Sequence, residues 1–354
     1  MDDLRTGLSY GDVLLVPQRS PVDSRSDVDL STRLTPEIRL ETPLLSAPMD
    51  TVTGAETAIA LSKAGGFGTV HRFMTPDEQA AAVERVVDAG ERAGAAVGIA
   101  EDAIGRTAAV VEAGADCVTV DVAHGHLERC LDTVERLRDR FPDLPLVVGN
   151  VATAAGVRDL ACAGADAVKV GIGPGSHCTT RRVAGAGVPQ LTAVDDCSTA
   201  ARDLGIPVIA DGGIRSSGDA VKALMAGADT VMMGSLFAGT EEAPPEVVEV
   251  EGTRYKRSRG MATTAANEAR SDKDADAAAP SADEGVEGLT EYKGPLADVA
   301  GEFAAGIRSG LSYCGGHTIP EAREKAEFVR VEQAAKEREG AHGDHDWESV
   351  TVDD

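Results

Sequence analysis

Ala163-Gly164-Ala165-Asp166, followed directly by the apolar run Ala167–Val170, is the stretch that decides the fold, because the chain repeats it. The same four residues recur as Ala113-Gly114-Ala115-Asp116 and as Ala226-Gly227-Ala228-Asp229, and each copy again precedes an apolar run. Glycine suits the left-handed position that ends a helix, so each copy indicates the end of a helix and the start of a strand. The repeat therefore predicts a chain built from helix-and-strand units.

Eight short apolar runs extend this pattern along the chain. Each is continuously apolar, as expected of strands buried on both faces, and most successive runs start 20–30 residues apart, which leaves room for one helix. The runs are Leu44–Ala47, Gly68–His71, Ala95–Ala100, Cys117–Val120, Leu146–Gly149, Ala167–Val170, Pro207–Ala210 and Thr230–Met233. This α/β pattern favours a closed (β/α)8 TIM barrel, and the spacing alone leaves an open doubly wound sheet as the alternative.

The length of 354 residues is sufficient for one barrel with insertions, and we expect a single domain over residues 1–335. The segment from about 241 to 295 departs from the repeat because it is charged and rich in small residues. Within it, Ala262–Asp283 has no aromatic or large aliphatic side chain, so we expect a mobile flap inserted after the last strand. Residues 336–354 are polar and predict a disordered tail.

The charge balance narrows the choice of partners. Lys and Arg number 34 against 59 Asp and Glu, and the formal net charge of −25 argues against binding to nucleic acid or to an anionic membrane. No apolar run reaches the roughly 18–20 residues of a membrane span and no signal segment follows Met1, so we expect a cytoplasmic protein. Only eight of the basic residues are lysines, which is typical of halophilic proteins, although an ordinary acidic protein also fits.

The six cysteines lie far apart without a CxxC pair, which argues against a zinc ribbon or a disulfide framework. Five lie in helix-like or strand-like contexts, where we expect burial. Cys178 alone follows a glycine-rich loop, Gly171-Ile172-Gly173-Pro174-Gly175-Ser176, whose glycines allow the backbone to approach a ligand closely. Cys178 is therefore the candidate nucleophile, the alternative being a glycine-rich turn with an incidental cysteine.

Polar and glycine residues also follow other predicted strands, at the end of a barrel where chemistry is expected. Asp211-Gly212-Gly213 follows the seventh strand and Gly234-Ser235 the eighth, where backbone N–H groups commonly bind phosphate, so they predict a phosphate-bearing substrate. Tight strand-to-helix turns are the alternative. Asp121 ends the fourth strand, where its carboxylate could bind a cofactor's ribose hydroxyls or amides, or cap a helix. No GxGxxG follows a first strand, so a Rossmann cofactor site is unsupported.

Eight motifs occur in a fixed order between Gly7 and about Val331. They are Asp12–Pro17, Ala47–Val52, Gly171–Arg181, Gly187–Gln190, Asp211–Ile214, Gly234–Gly239, Arg259–Met261 and Glu284–Gly288. With these motifs the sequence closely resembles the inosine-monophosphate dehydrogenase and guanosine-monophosphate reductase family, in the form without the regulatory CBS insertion. So many ordered matches make the resemblance highly specific.

The resemblance implies an oxidoreductase that acts at C2 of GMP or IMP through a covalent thioimidate on Cys178, with NADPH or NAD as cofactor. It implies that Cys178, Thr180, Glu284 and Arg270 are catalytic. The implied nucleotide-binding residues are Ser46, Met49, Ser176, Asp211, Gly213, Gly234, Ser235, Gly260 and Met261, and the implied cofactor-binding residues are Asp121, Asn150 and Gly171. The resemblance also implies a homotetramer and a monovalent cation such as potassium, bound by the carbonyls of Gly173, Gly175 and Cys178.

Within the family, the chain resembles the reductase in its flap. The dehydrogenase releases its intermediate with water by means of an Arg-Tyr pair, whereas here Arg270 is followed by Ser271 and no tyrosine lies between Met261 and Glu284. The stretch Asp121–His126 also resembles the reductase form. These features favour GMP reductase, which expels ammonia and has no need to activate water.

Other features resemble the dehydrogenase instead, namely Thr69–Arg72, Val188, Ile214 and Glu241–Pro244. Ser258 stands where the family usually has a phosphate-binding tyrosine, and Pro245 replaces a usual glycine, so we expect altered phosphate contacts. IMP dehydrogenase is therefore the alternative function. A non-catalytic nucleotide-binding regulator is a third interpretation, and the retained Cys178, Thr180 and Glu284 argue against it.

Overall fold

The computed structural model describes residues 4–263, 266 and 284–338. In chain order the strands are β1 (Val13–Leu15), β2 (Thr32–Arg33), β3 (Arg39–Leu40), β4 (Leu44–Ser46), β5 (Phe67–Val70), β6 (Gly94–Val97), β7 (Cys117–Asp121), β8 (Leu146–Val151), β9 (Ala167–Val170), β10 (Val208–Asp211), β11 (Thr230–Met233), β12 (Val247–Val250), β13 (Thr253–Arg259), β14 (Glu287–Glu291) and β15 (Phe328–Arg330). The helices are α1 (Ala55–Lys63), α2 (Pro76–Asp88), α3 (Ala103–Glu112), α4 (Glu128–Arg140), α5 (Ala154–Ala163), α6 (Thr180–Val183), α7 (Gln190–Leu204), α8 (Ser217–Met225), α9 (Leu296–Cys314), α10 (Ile319–Lys325) and α11 (Gln333–Arg338).

Eight parallel strands, β4 to β11, close into a barrel in chain order, and β11 pairs back onto β4. In that closing pair Val231 lies opposite Leu44, and Met232 lies opposite Leu45. Each apolar run of the sequence overlaps one barrel strand, and the predicted (β/α)8 barrel is confirmed. The carboxyl ends of the eight strands therefore meet at one mouth, which the strand-to-helix loops surround.

The repeated Ala-Gly-Ala-Asp stretches form helix-to-strand turns at the opposite end of the barrel. Gly164 ends α5 with a φ of 115°, the left-handed conformation that the sequence predicted. Asp166 has a role that the sequence did not indicate, because its carboxylate accepts a 2.8 Å hydrogen bond from the backbone N–H of Leu146 in the neighbouring strand. The other copies share both features, with left-handed Gly114 and Gly227 and with Asp116 and Asp229 bonded to Ala93 and Val208. The repeat thus joins adjacent strands where they begin.

Neighbouring residues of a barrel strand face opposite sides of the sheet, and both sides are buried. Leu44 packs outward against the helices, whereas Leu45 faces the barrel interior. Residues of the interior from other strands are Phe67, Cys117, Val147, Ala167, Ile209 and Met232. The β2–β3 hairpin adds Leu34, Ile38 and Leu40, and its Thr32 hydroxyl donates to the carbonyl of Asp229. The hairpin therefore closes the end opposite the mouth.

The insertion after β11 contains a three-stranded antiparallel sheet in the order β12-β13-β14, which the sequence did not predict. The strands are mostly exposed, and although β12 carries three valines, β13 and β14 lack the apolar run that revealed the barrel strands. Lys256 of β13 is buried and donates hydrogen bonds to the carbonyls of Glu241 (2.8 Å) and Ala243 (2.7 Å). The predicted flap centre, Ala262–Asp283, lies outside the described residues apart from positions 262, 263 and 266.

The C-terminal part of the chain packs against its N-terminal part. Strand β15 pairs with β1 in an antiparallel register, with Val13 opposite Arg330. The predicted boundary between domain and tail at residues 335/336 falls inside α11, where Lys336 lies 3.2 Å from the carboxylate of Asp12. The rest of the predicted tail, residues 339–354, lies outside the described residues. Among the helices that the structure describes, none is long and apolar enough to cross a membrane.

Cysteine burial follows the sequence prediction with one exception. Cys117, Cys130, Cys197 and Cys314 are buried as expected, but Cys162 is exposed, because it lies on the outer face of α5. Burial raises the pKa of Cys130 to about 11 and that of Cys197 to about 12. These buried thiols remain protonated and unreactive at neutral pH.

Candidate active site

The glycine-rich loop leaves β9 and runs over the mouth of the barrel to α6. Gly171 has a φ of 153°, and a Cβ there would lie 2.2 Å from the carbonyl oxygen of Asp211, so only glycine allows this approach. Gly173 is also left-handed, with a φ of 73°. Close backbone contact with β10 therefore fixes the start of the loop, and the loop ends with Cys178 half-buried beside α6.

Three side chains predicted to be catalytic lie together at the end of this loop. The sulfur of Cys178 is 3.1 Å from the hydroxyl oxygen of Thr180. The hydroxyl of Thr180 donates a 2.7 Å hydrogen bond to a carboxylate oxygen of Glu284, although Glu284 follows 104 residues later. The structure thus forms a thiol–hydroxyl–carboxylate series. Arg270, the fourth residue predicted to be catalytic, lies outside the described residues.

The backbone holds Glu284 in this position. Cys178 and Gly285 form an isolated antiparallel β-bridge, and the N–H of Thr179 donates to the carbonyl of Glu284 at 2.9 Å. The N–H of Val286 donates to the carbonyl of His177 at the same distance. The segment that re-enters from the insertion is therefore paired with the loop that carries the candidate nucleophile.

A buried lysine, which the sequence did not identify, organises the predicted cofactor side of the mouth. The Lys169 ammonium lies 2.8 Å from the carboxylate of Asp121 and 2.7 Å from that of Asp211, and it donates to the side-chain oxygen of Asn150. Burial alone would lower the pKa of Lys169, but the two carboxylates outweigh it and hold the pKa above its ordinary value. The sequence feature that could have revealed this role is Lys169 itself, the single charged residue inside the apolar run Ala167–Val170.

This lysine brings together residues predicted to bind the cofactor and the nucleotide. Asn150 donates one amide hydrogen to the carbonyl of Gly171 (2.8 Å) and the other to Asp211 (2.9 Å), so its polar atoms are used within the protein. Asp121 is partly exposed at the carboxyl end of β7, with one carboxylate oxygen 2.8 Å from the Lys169 ammonium. Asp121, Asn150 and Gly171 thus lie together at the mouth, and their binding of a cofactor stays a prediction.

The residues predicted to bind the nucleotide surround the same mouth. Met49 packs against Gly234, where a Cβ would lie 2.8 Å from the Met49 sulfur. Ser46 is fully buried at the end of β4, and its hydroxyl has no hydrogen-bond partner among the described residues. Gly213 has a φ of 78°, and Ser235 follows Gly234 after β11. These residues therefore lie at the strand-to-helix loops where a phosphate-bearing ligand is expected, and their binding of a nucleotide stays a prediction.

The turn Arg259-Gly260-Met261, called the phosphate turn below because two of its residues are predicted to bind the nucleotide, carries a charge that is already paired. The Arg259 guanidinium donates to the carboxylate of Asp50 through Nε at 2.9 Å, and this hydrogen bond raises the pKa of Arg259. The following residues, Gly260 and Met261, connect β13 with the mouth, and the N–H of Gly260 donates to the carbonyl of Val286 at 3.0 Å. We therefore expect phosphate contacts near this turn to come from backbone N–H groups other than that of Gly260, and not from a free arginine.

The predicted cation site consists of backbone carbonyls on the same loop. The carbonyl of Gly175 accepts a 3.1 Å hydrogen bond from the N–H of Cys178, which keeps the turn tight beside Gly173. Within residues 4–263, 266 and 284–338, no group of three or more His, Cys, Asp or Glu side chains could hold a metal ion. A site made of carbonyls is of a different kind, and the potassium site stays a prediction.

Sequence analysis also missed the surroundings of His177, which precedes the candidate nucleophile. His177 Nδ1 lies 3.2 Å from the hydroxyl oxygen of Ser176, and Nε2 lies 3.0 Å from that of Ser258. Ser258 is buried, and its hydroxyl lies 2.8 Å from that of Thr290. Ser258 therefore faces His177, and its short side chain leaves room for the imidazole. No local pattern could have shown a contact between positions 81 residues apart.

The fold and the site together place the chain among the (β/α)8-barrel proteins that carry a cysteine-centred site at the barrel mouth. The family model described as IMP dehydrogenase / GMP reductase domain matches residues 7–342. The chain belongs to this family of NAD(P)-dependent oxidoreductases, which act on purine nucleotides.

Individual relatives of both kinds are similar to the chain. It is 36% identical to the inosine-5'-monophosphate dehydrogenase of Nitrosopumilus maritimus, over 94% of this chain and 97% of the relative. It is 38% identical to the enzyme of the same name from Aquifex aeolicus, over 96% of each. It is 34% identical to the GMP reductase of Leishmania donovani, over 96% of this chain and 97% of the relative. These alignments run over 462 to 478 positions, and the chain, with 354 residues, lacks the CBS insertion.

Proposed function

We propose that the chain is a GMP reductase, which converts GMP and NADPH to IMP, ammonia and NADP⁺ through a covalent intermediate on Cys178. The observation that carries the proposal is the position of Thr180, whose hydroxyl lies 3.1 Å from the Cys178 sulfur and 2.7 Å from the Glu284 carboxylate. A hydroxyl in this position can pass a proton between a thiol and a carboxylate.

The direction of these hydrogen bonds defines the first proton transfer. An ionised carboxylate only accepts, so the Thr180 hydroxyl donates to Glu284 and its oxygen is left to accept the thiol proton of Cys178. Glu284 can thereby draw the proton from Cys178 through Thr180 and leave a thiolate. A thiolate is a strong nucleophile and also a good leaving group, which suits an attack on a purine carbon followed by release.

The proposed reaction has two stages, release of ammonia from GMP and reduction of the intermediate on Cys178. The Cys178 sulfur bonds to C2 of GMP, and the C2–N bond of the exocyclic amine breaks, leaving a thioimidate. The amine needs one further proton to depart as ammonia, and Glu284 can return a proton through Thr180. NADPH, when bound, supplies a hydride to C2. The C2–S bond then breaks, which gives IMP and restores the Cys178 thiolate.

The remaining residues of the mouth bind and orient the reactants in this proposal. Asp121, Asn150 and Gly171 face the cofactor, and Lys169 fixes Asp121 and Asn150 relative to Asp211 on the nucleotide side. The backbone N–H groups around Gly213, Gly234 and Ser235 and the hydroxyl of Ser176 bind the phosphate beside the turn of Gly260 and Met261, with Ser46 and Met49 around the rest of the nucleotide. Binding by neutral N–H groups suits an anionic substrate on a protein with a net charge of −25.

The absence of a tyrosine from residues 262–283 favours the reductase over the dehydrogenase. Hydrolysis of the thioimidate requires a base that removes a proton from water, and loss of one such base typically costs about 100- to 10,000-fold in rate. The reductase needs only the proton path from Cys178 to Glu284. IMP dehydrogenase is the second candidate, because two of the three relatives compared above carry that name.

The test measures both reactions on the purified full chain in molar KCl, because its low lysine content and large acidic excess suggest a saline environment. We expect oxidation of NADPH with GMP, and one ammonia and one IMP for each NADPH consumed. Xanthosine-monophosphate formation from IMP and NAD⁺, without ammonia release from GMP, would make the dehydrogenase assignment correct. Absence of both reactions in a chain that binds GMP would favour the non-catalytic regulator.

Two variants test the proton path. Thr180→Val keeps the shape of the side chain and removes the hydroxyl, so we expect turnover to fall about 100-fold or more, whereas Thr180→Ser keeps the hydroxyl and should stay within about tenfold of the parent. Glu284→Gln should match Thr180→Val. Equal activity of the Val and Ser variants would contradict a role for the hydroxyl.

A further inference from the structure

We propose that His177 is a positioning residue for nucleotide binding, which turns the hydroxyl hydrogen of Ser176 toward the phosphate of the nucleotide. This inference rests on the proposed nucleotide site and adds a residue to it. His177 lies between the exposed hydroxyl of Ser176 at the mouth and the buried hydroxyl of Ser258 on β13. The direction in which the hydroxyl and imidazole hydrogens point decides what Ser176 can offer to a ligand.

Four polar groups form one continuous series from the insertion sheet to the mouth. Thr290 lies 2.8 Å from Ser258, Ser258 lies 3.0 Å from His177 Nε2, and His177 Nδ1 lies 3.2 Å from Ser176. Each hydroxyl carries one hydrogen, and a neutral imidazole carries one N–H and one acceptor nitrogen. The series therefore has two arrangements, in which all donors point either outward to the mouth or inward to the sheet.

The ligand at the outer end decides between the two arrangements. The inner end fits both, because Thr290 is only partly buried and its hydroxyl can donate either to Ser258 or to solvent. In the outward arrangement Thr290 donates to Ser258, Ser258 donates to Nε2, and Nδ1–H donates to Ser176. Only this arrangement leaves the Ser176 hydrogen free to bind a group that accepts and cannot donate.

The outer end of the series then has a definite chemistry. The oxygen of Ser176 accepts from His177, so its own hydrogen is available to a ligand. A phosphate oxygen is an acceptor only and binds a hydroxyl that donates. The mouth beside His177 is also where the predicted phosphate turn lies, because a Cβ on Gly260 would be 2.7 Å from the carbonyl oxygen of His177. The ligand group that fits Ser176 is therefore the phosphate rather than the base.

The proposal is tested by binding of GMP and of guanosine to the full chain, measured by calorimetry in molar KCl. His177→Phe keeps a planar ring and removes both nitrogens, so we expect the dissociation constant for GMP to rise about 10- to 100-fold. Binding of guanosine, which lacks the phosphate, should change less than threefold. Equal weakening of both ligands, or no change for GMP, would overturn the proposal.

Two further variants separate positioning from a purely structural role. His177→Asn places an amide N–H close to the position of Nδ1, so it should restore most of the GMP affinity lost in the Phe variant. His317→Phe is the matched control, because His317 lies 3.8 Å from Glu321 on the surface, outside the mouth, and we expect no effect there. An Asn variant as weak as the Phe variant would contradict the assigned donor.

A double-mutant cycle gives the sharpest result. If His177 acts through Ser176, then Ser176→Ala combined with His177→Phe should bind GMP no more weakly than Ser176→Ala alone, within about twofold. Additive losses would show that His177 acts independently and would overturn the proposal. The parent chain separates this outcome from failure of the proposed function, because a parent that does not bind GMP would refute the nucleotide site itself.

Discussion

Replacing Lys169 with methionine removes the cation that pairs with both Asp121 and Asp211 and leaves a side chain of similar length. Both carboxylates contact the same nitrogen, at 2.8 Å and 2.7 Å, so their facing oxygens are about 5.5 Å apart at most. Two like charges at that distance repel by about 3 kcal/mol at an effective dielectric constant of 20. Loss of one member of a buried ion pair typically costs about 3–5 kcal/mol, which agrees with this value.

The corresponding change in melting temperature is small but measurable. At about 2.1 cal/mol/K of unfolding entropy per residue, a loss of 3 kcal/mol lowers the Tm of this chain by about 4 °C. The wild-type ion pairs are present throughout pH 5–8, because the raised pKa of Lys169 keeps it charged and this stabilisation is lost only as the pH rises through that value. We therefore expect no pH dependence from this network in the parent protein between pH 5 and 8.

The variant should differ in its response to acid. Without the lysine, each carboxylate raises the pKa of the other, so the folded variant takes up a proton above the carboxyl pKa of about 3.9 in an unfolded chain. Acid then stabilises the variant relative to the parent, and the Tm deficit should shrink between pH 8 and pH 5. Lys222→Met is the control, because the partly buried Lys222 ammonium faces the Asp219 carboxylate at 3.5 Å and the Tyr10 carbonyl at 3.0 Å, so its removal leaves one carboxylate rather than two that face each other. A deficit of Lys169→Met that is constant with pH, or the same slope in both variants, would refute the reasoning.

Three further outcomes follow from the site and the barrel. Gly234→Asp places a carboxylate at the phosphate loop and against Met49, so the nucleotide KM should rise at least tenfold, whereas Gly301→Asp on the exposed face of α9 should leave it unchanged. Iodoacetamide should label Cys162 and Cys178 but not the four buried cysteines, as measured by mass spectrometry. Bound GMP should protect Cys178 alone. Labelling of a buried cysteine would contradict the packing. Asp166→Ala leaves the N–H of Leu146 unpaired, so the free energy of unfolding, measured in urea, should fall by about 1–3 kcal/mol. An unchanged free energy would show that this hydrogen bond is dispensable.

The barrel was predictable because its signals are local. A strand buried on both faces is a continuous apolar run, and a helix end marked by glycine precedes the next strand, so Ala163–Val170 and its echoes specified the repeat without any knowledge of distant contacts. The glycine-rich loop before Cys178 was recognisable for the same reason. Both predictions depend on the backbone conformation that short stretches of sequence require.

The parts that escaped prediction depend on contacts between distant residues. Lys169 looks like an exception within an apolar strand until the closed barrel places Asp121 and Asp211 on either side of it. The sheet of the insertion has short, exposed strands without an apolar period, so nothing local distinguishes it from a loop. Thr180 and Glu284 were found together only through the family resemblance, because 104 residues separate them along the chain.

The same separation has a consequence during synthesis of the protein. The ribosome adds about 5–20 residues per second, so Glu284 emerges some 5–20 s after Thr180. The barrel strands β4 to β11 precede Glu284 in the chain and can pair before it is made. The growing polypeptide therefore passes through a period in which all eight barrel strands exist, but the thiol lacks the carboxylate that receives its proton in the proposed mechanism. Under that proposal, translation delays the onset of reactivity until the strands of the barrel have been made.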